Sequence, residues 1–587
     1  MNALAWLAPV ALPIAGALLW PVVGPARRWL LVLAPLPALL LGVFGAPGPP
    51  PQLNWLLLEA IADLDIGSRP LLVMTAFVWM VAGASARRIG DDRPAFASLM
   101  LLTCAGNVGV LLAADVVTFY VMFAWMTFAA YGLVVHHRTE SARRAGRVYV
   151  VLAVLGEVAL LAGLLLAATH AGTTAMPEVA GSLATAPGRS MIIGLLIGGF
   201  GVKVGLVPLH VWLPLAHPAA PVAASAVLSG TMIKAGLVGW LRILPLGEVA
   251  LPGFGATLIG LGLVGAVLGV VAGTLQSDPK VLLAYSSVSQ MGLITTAVGL
   301  GLVLPDDATA AVLAAVAYAV HHGIAKASLF LGVGVHKAGT RGWSHRTLLA
   351  GMGLAALALA GAPLTTGWIA KQTLKSVADA LPEGGGQPLT LALSLAAAGT
   401  TVLMVRLLWL VREPSGPRSS PRSDAPADAR GVIAPWASIV VAVAVGGWLL
   451  PLAVPDAPSL LPLTTSGLWD GLWPVLLGLV PCAGWLRYRP DRRLARASPR
   501  PAIPAGDLLL LIERLAPAVS IPAWWLLHRF DAMERRARTF QDVGRVTVRP
   551  GALIDHLEDR LTGWRTAGAL YVLIGIAVTV ALALGTA

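Results

Sequence analysis

The chain has 587 residues, 57% of them hydrophobic and 12% charged, with a formal net charge of +12. So apolar a composition excludes a soluble globular domain, whose polar surface could not cover such an interior, and makes the chain an integral membrane protein. The positive charge does not mark a nucleic-acid binder, because it is gathered in alternate short loops between apolar runs.

Apolar runs long enough to cross ~30 Å of hydrocarbon recur along almost the whole chain, and about 16 are predicted to be transmembrane helices, because a helix satisfies its own backbone in lipid. They lie near 3–24, 28–45, 68–86, 95–113, 114–135, 147–170, 190–212, 220–244, 252–274, 281–303, 308–332, 347–377, 388–411, 432–454, 466–486 and 566–585. The first run is followed by a second rather than by a small-residue cleavage site, so it reads as a retained span. Basic loops such as "GPARRW", "ARRIGDDR", "HHRTESARRAGR" and "HKAGTRGWSHR" alternate with neutral or acidic ones that hold Glu59, Asp63 and Asp65, Glu178, Glu248, Asp306 with Asp307, Glu383 and Asp456. The positive-inside rule then predicts cytoplasmic basic loops, an outside N-terminus and a multi-pass protein of the cell (inner) membrane.

Two of the runs, "GVKVGLVPLHVWLP" (201–214) and "LAGAPLTTGWIAKQTLK" (359–375), each carry a lysine together with Gly and Pro that interrupt a helical hydrogen-bond ladder. Paired interruptions of this kind point to inverted repeats with broken helices. The expected organisation is N-terminal helices over 1–94, a first repeat over 95–245, a second over 252–411 and further helices with basic loops over 412–503. An amphipathic segment over 504–562, read as a surface or lateral helix or else a cytoplasmic tail, and a terminal helix over 563–587 complete it. Cys104 and Cys482 lie within apolar runs and in no metal or iron–sulfur pattern, so no metal, cofactor or redox centre is expected.

Ionisable groups at membrane depth are costly and usually face a bundle interior or a watered cavity. The spans hold a line of them: Glu157, Lys203, His210, Lys234, His321, His322, Lys326 and Lys371. Buried lysines beside movable partners, and histidines, can take up and give up protons near neutral pH, so the line reads as a proton relay. Near span ends the bland reading is snorkelling to the interface, and Lys280 after "SDP", Arg242 and Arg406 are read that way; His217 beside Pro218 is read equally as loop chemistry. Glu157, the one carboxylate in the interior of a predicted span, is expected to face Lys203 or else to reach toward the headgroups.

The stretches "GFGVKVGLVPLHVWLPLAHPAAPVAASAVLSGTMIKAGLVGWLRI", "DPKVLLAYSSVSQMGLI", "HHGIAKASLFLGVG" and "GAPLTTGWIAK" resemble, in this order, the antiporter-like membrane subunits of respiratory complex I and of Mrp-type cation/proton antiporters. The resemblance runs from about 65 to 411 and implies that Lys203 matches the lysine of a broken seventh helix, Lys234 that of the eighth, His322 and Lys326 the eleventh, and Lys371 a broken twelfth. One departure is plain: "FAWMTFAAY" (123–131) places Ala124 where the family carries a glutamate that tunes the seventh-helix lysine. The terminal region resembles the distal complex I subunit with its lateral helix.

The resemblance implies a proton-translocating subunit of a complex I-like or related ion-pumping complex, working with other membrane subunits in the bilayer and with no nucleic acid. It leaves open an Mrp-type antiporter that exchanges Na⁺ or K⁺ for H⁺, and a proton-driven energising subunit of an inorganic-carbon uptake complex. Enzyme status stays open in the same way: the chain has no redox centre of its own and is a candidate subunit of an NADH:quinone oxidoreductase-type translocase.

Overall fold

The computed structural model describes residues 3–20, 23–45, 52–53, 56–57, 59–89, 94–340, 342–382, 384–414, 429–454, 464–487 and 506. Chain contacts divide into two units, 1–505 and 506–587, and within the second only Gly506 is described. The amphipathic segment 504–562 and the run 566–585 therefore lie outside the described residues, Gly506 apart.

The first unit is a bundle of helices, with a two-stranded antiparallel hairpin, β1 (Gln52–Leu53) and β2 (Ala60–Ile61), at one end. The chain begins with α1 (Ala3–Leu19), the short α2 (Leu30–Leu33) and α3 (Leu36–Phe44), and α4 (Ser68–Ile89). Next come α5 (Pro94–Leu112), α6 (Val116–Val134), α7 (Glu140–Ala171), α8 (Met176–Ser182), α9 (Arg189–Val204), α10 (Leu213–Ala219), α11 (Val222–Val227) and α12 (Lys234–Ile243). They are followed by α13 (Pro252–Thr274), α14 (Pro279–Val303), α15 (Ala308–Lys337), α16 (Trp343–Ala360), α17 (Thr366–Asp379) and α18 (Gly386–Val411). Two further helices follow, α19 (Ala429–Ala453) and α20 (Thr465–Arg487).

Among the described residues 12 helices are long and apolar enough to cross a membrane. They coincide with predicted spans, and the runs 3–24, 347–377 and 466–486 are helical as well, as α1, as α16 with α17, and as α20. The chain is a multi-pass, all-α membrane protein.

Both expected interruptions are present. α9 ends at Gly205, whose φ of 78° closes the helix in the left-handed region, and a 3₁₀ turn over Leu209–Trp212 leads into α10. α16 ends likewise at Gly361, φ 83°, and α17 restarts after Thr365, whose side chain accepts from the Trp368 N–H. A third irregularity, a π-helical turn over Leu228–Met232, joins α11 to α12 and was not signalled by any proline.

Burial sorts the helices. The apolar window of α14 is 100% buried, whereas those of α7 and α13 turn most of their residues outward, as lipid-facing helices do. Without a hydrophobic drive between helices in lipid, close backbone approach supplies the packing. A Cβ added at Gly255 would lie 2.6 Å from the Gly299 carbonyl, and one at Gly262 2.5 Å from that of Gly292, so the seven-residue glycine spacing lets α13 and α14 touch backbone to backbone.

Candidate functional site

The predicted groups are all buried, and they fall around the three irregular segments. On the last turn of α9, the Lys203 ammonium donates to Thr127 Oγ1 at 2.8 Å and to the Tyr149 hydroxyl at 3.3 Å, and lies 5.4 Å from the centre of the Phe123 ring. Tyr149 in turn donates to the Thr127 carbonyl at 3.0 Å. These groups and Glu157 line a cavity of about 20 Å³, room for one water. Neither Glu157 oxygen has a hydrogen-bond partner among the described residues, although the carboxylate lies within electrostatic reach of Lys203. Glu157 therefore faces Lys203 from α7 without ion-pairing to it. Ala124 is partly exposed; it follows Phe123 on α6 and does not line that cavity. His210 is fully buried in the 3₁₀ turn that follows.

A second cluster surrounds the π-helical turn. Lys234 Nζ donates to the Ser229 carbonyl at 2.6 Å and lies 2.8 Å from His322 Nδ1. Ser229 and Ser287 share a hydrogen bond at 2.7 Å between their hydroxyls, and both Ser287 and Lys326 donate to the Leu283 carbonyl, at 3.1 and 2.8 Å. α15 reaches this place because Gly323 crosses Gly230 closely: a Cβ on Gly323 would lie 2.7 Å from the Gly230 carbonyl. Between the two clusters α9 and α12 pack closely, since a Cβ on Gly236 would lie 3.2 Å from Lys203 Cβ.

The third cluster is at the second break. Lys371 Nζ donates to the carbonyls of Leu359 and Ala360 at 2.8 and 2.7 Å, the end of α16, where unpaired carbonyls and the helix dipole favour a cation. His321 Nδ1 pairs with Thr366 Oγ1 at 2.7 Å, five residues before Lys371.

Three expectations need correction. Lys280 does not snorkel: it is buried and donates to the Ala220 carbonyl. His217 is no loop residue; it lies on α10, fully buried, stacked on Phe330 with ring centres 4.6 Å apart. Arg242 is not an interfacial anchor. Its guanidinium meets Asp65 Oδ2 at 2.7 Å and donates to the carbonyls of Val110, Leu111 and Ala113 at the end of α5. Burial pushes the Asp65 carboxyl up, but Arg242 and Ser68 outweigh it and hold Asp65 below its ordinary value near 3.8. The pair accordingly contributes stability above pH 3.8 and loses it as the pH falls through the lowered value.

Sequence reading passed over the hydroxyl and amide groups that connect the lysines: Thr127, Tyr149, Ser229, Ser287 and Thr366. The available signal was the density of polar side chains in "AYSSVSQ" (284–290), within a helix otherwise as apolar as any span. In the same helix Gln290 accepts from the Tyr318 hydroxyl and donates to Thr400, at 3.0 Å each.

Residues 113–380 match the family described as NADH:quinone oxidoreductase/Mrp antiporter, transmembrane. The likeness to that family covers this segment, a little under half of the chain. The matched residues contain all three clusters, from Ala124 to Lys371. Hydrogenase-4 component B of Escherichia coli (strain K12) is 35% identical over 254 residues, 42% of this chain and 38% of that protein. The putative antiporter subunit mnhA2 of Staphylococcus haemolyticus (strain JCSC1435) is 30% identical over 309 residues, 48% of this chain and 38% of the relative. The chain thus spans well under half the length of these two curated relatives. Among solved structures, a chain of the Mrp complex from Dietzia sp. DQ12-45-1b shares the fold, with a TM-score of 0.71 at 24% identity over 99% of this chain and 63% of that one.

Proposed function

We propose that the chain is an antiporter-like subunit that moves protons through the membrane along its buried Glu, Lys and His side chains, within a complex of several membrane subunits. The observation that carries this reading is the 2.8 Å contact between Lys234 Nζ and His322 Nδ1. Two bases at that distance form a hydrogen bond only when one of them supplies the proton to the other's lone pair, so the pair holds a proton that either member can own. Lys203 with Glu157 stands on one side of this pair, and Lys326, His321 and Lys371 on the other, each beside a broken or irregular helix where backbone carbonyls and hydroxyls are free to accept.

The repeats over 95–245 and 252–411 are the two halves of this device, in the cell (inner) membrane with the N-terminus outside. Cysteines placed near Arg143 and near Asp306 are then expected to react with an impermeant maleimide from opposite faces; labelling from the same face contradicts the orientation. Exchange of Na⁺ or K⁺ against H⁺ is the second reading, and the relative named as a putative antiporter subunit favours it. Vesicles carrying the chain with its native partners separate the two: a pH gradient that collapses equally in choline, sodium and potassium supports proton movement alone, and collapse that needs one cation supports exchange.

Glu157 takes, from α7, the place of the carboxylate absent at Ala124. Near Lys203 it stabilises the ammonium, and once protonated it releases that hold. Glu157→Gln is expected to slow proton flux roughly tenfold or more, short of the ~10²-fold lower end for a positioned proton carrier because it acts through Lys203, and adding Ala124→Glu is expected to restore part of it. Normal flux in Glu157→Gln rejects the exchange of roles.

A further inference from the structure

One turn beyond Lys371, α17, α18 and α20 line an open polar cavity of about 380 Å³. Lys375 lies in its wall, partly buried, four residues after Lys371 and so on the same helix face. Two carboxylates flank it, Asp379 from α17 and Asp470 from α20, both within electrostatic reach. Asp379 also accepts from Thr390 of α18 at 3.3 Å. α18 brings no charge to the cavity, only Thr390, Leu391 and Ser394, and His321 faces Lys371 from α15.

Asp470 is placed there by close packing. Trp368 Nε1 donates to the Gly467 carbonyl at 3.1 Å, and a Cβ on Gly471 would meet the Trp368 ring at 2.5 Å, which seats α20 directly on α17 on either side of Asp470. α20 lies outside residues 113–380, the part of the chain that matches the family.

We propose that this cavity is the outer release port of the relay, and that Asp470, supplied from outside the family segment, is one of its two proton acceptors. The inference rests on the proposed proton movement and on the proposed orientation, in which the end of α17 is outermost. Two charged lysines a turn apart repel, so a proton arriving at Lys371 drives the one already on Lys375 to the carboxylate of Asp379 or Asp470, and from that carboxyl group to water. The Lys375 amine left behind then accepts the Lys371 proton, so that Lys371 is again neutral, Lys375 again charged and the carboxylate restored.

The test uses membrane vesicles holding the full chain and its partners. Lys375→Gln is expected to lower proton flux by roughly 10²-fold and Asp470→Asn by less, since Asp379 remains as an acceptor; each is expected to alter the dependence on outer pH, with the dependence on inner pH unchanged. Asp470→Glu is expected to keep both. Ser376→Cys, in the cavity wall, is expected to react with an impermeant maleimide from the outer face, against a low background because Cys104 and Cys482 are buried. Normal flux and an unaltered outer-pH profile in Asp470→Asn and Lys375→Gln, alongside an inactive Lys371→Ala, would overturn the port and leave the relay standing. Normal flux in Lys371→Ala as well would remove the relay and the port together. Labelling of Ser376→Cys from the inner face alone would also overturn the port.

Discussion

Lys203→Ala is expected to lower proton flux by roughly 10²-fold or more, the scale on which a positioned proton carrier contributes to a transfer, with the protein still inserted and assembled. Among the described residues Lys203 is the only ammonium group at the cavity it shares with Glu157. Without it the Thr127 and Tyr149 hydroxyls lose the donor they accept from. Insertion should survive, because the lysine makes no hydrogen bond to a carboxylate and sits on the last turn of α9, where alanine is a good helix former. Lys371→Ala is expected to give the same loss through the other break, where its ammonium satisfies the final carbonyls of α16. Flux measured by a pH-sensitive dye in vesicles, normalised to inserted protein, decides each case; a normal rate takes that lysine out of the path.

Arg242→Ala is expected to destabilise the fold rather than the transfer. The guanidinium ties Asp65, ahead of α4, to three carbonyls at the end of α5, and the same region is joined by backbone hydrogen bonds from Asp63 to Leu112, Ala114 to Ile61 and Met176 to Ala114. Its removal leaves helix-end carbonyls without a donor, at a cost on the order of 1.5–3 kcal/mol, the range for hydrogen bonds to charged groups. The Asp65 side chain is 38% exposed, so water screens its share of the loss and the carbonyls carry most of it. Arg242→Lys should recover only part, because an ammonium cannot fork across carboxylate and carbonyls at once. Thermal unfolding in detergent near neutral pH checks this. An unchanged midpoint in Arg242→Ala would show that the clamp holds nothing.

The spans were legible because lipid leaves one answer to an apolar run of about 20 residues. Both breaks were legible too, since Gly205 with Pro208, and Gly361 with Pro363, are residues that end helices. The turn at Leu228–Met232 was not. Nothing in "LSGTM" forbids an α-helix, and the local widening belongs to the crossing of Gly230 with Gly323, a contact between residues far apart in the chain.

The lysines stood out as charges among apolar residues. Their partners did not, because a serine or threonine in a membrane helix most often bonds its own preceding turn, as Thr231 and Thr295 do here. Arg242 and Lys280 were misread for a related reason. Proximity to a span end says where a charge begins, and only the packing around it says whether it points to water or to a carbonyl.

The most direct test of the relay compares Lys234→Arg with Lys234→Ala. Arginine keeps the positive charge and the hydrogen-bond donors that face Ser229 and His322, yet it stays protonated at any accessible pH and cannot pass a proton on. Proton movement through the Lys234–His322 pair predicts that both variants lose flux in vesicles to the same low level. Wild-type flux in Lys234→Arg would mean that the site needs only a fixed positive charge, and would contradict proton transfer through it.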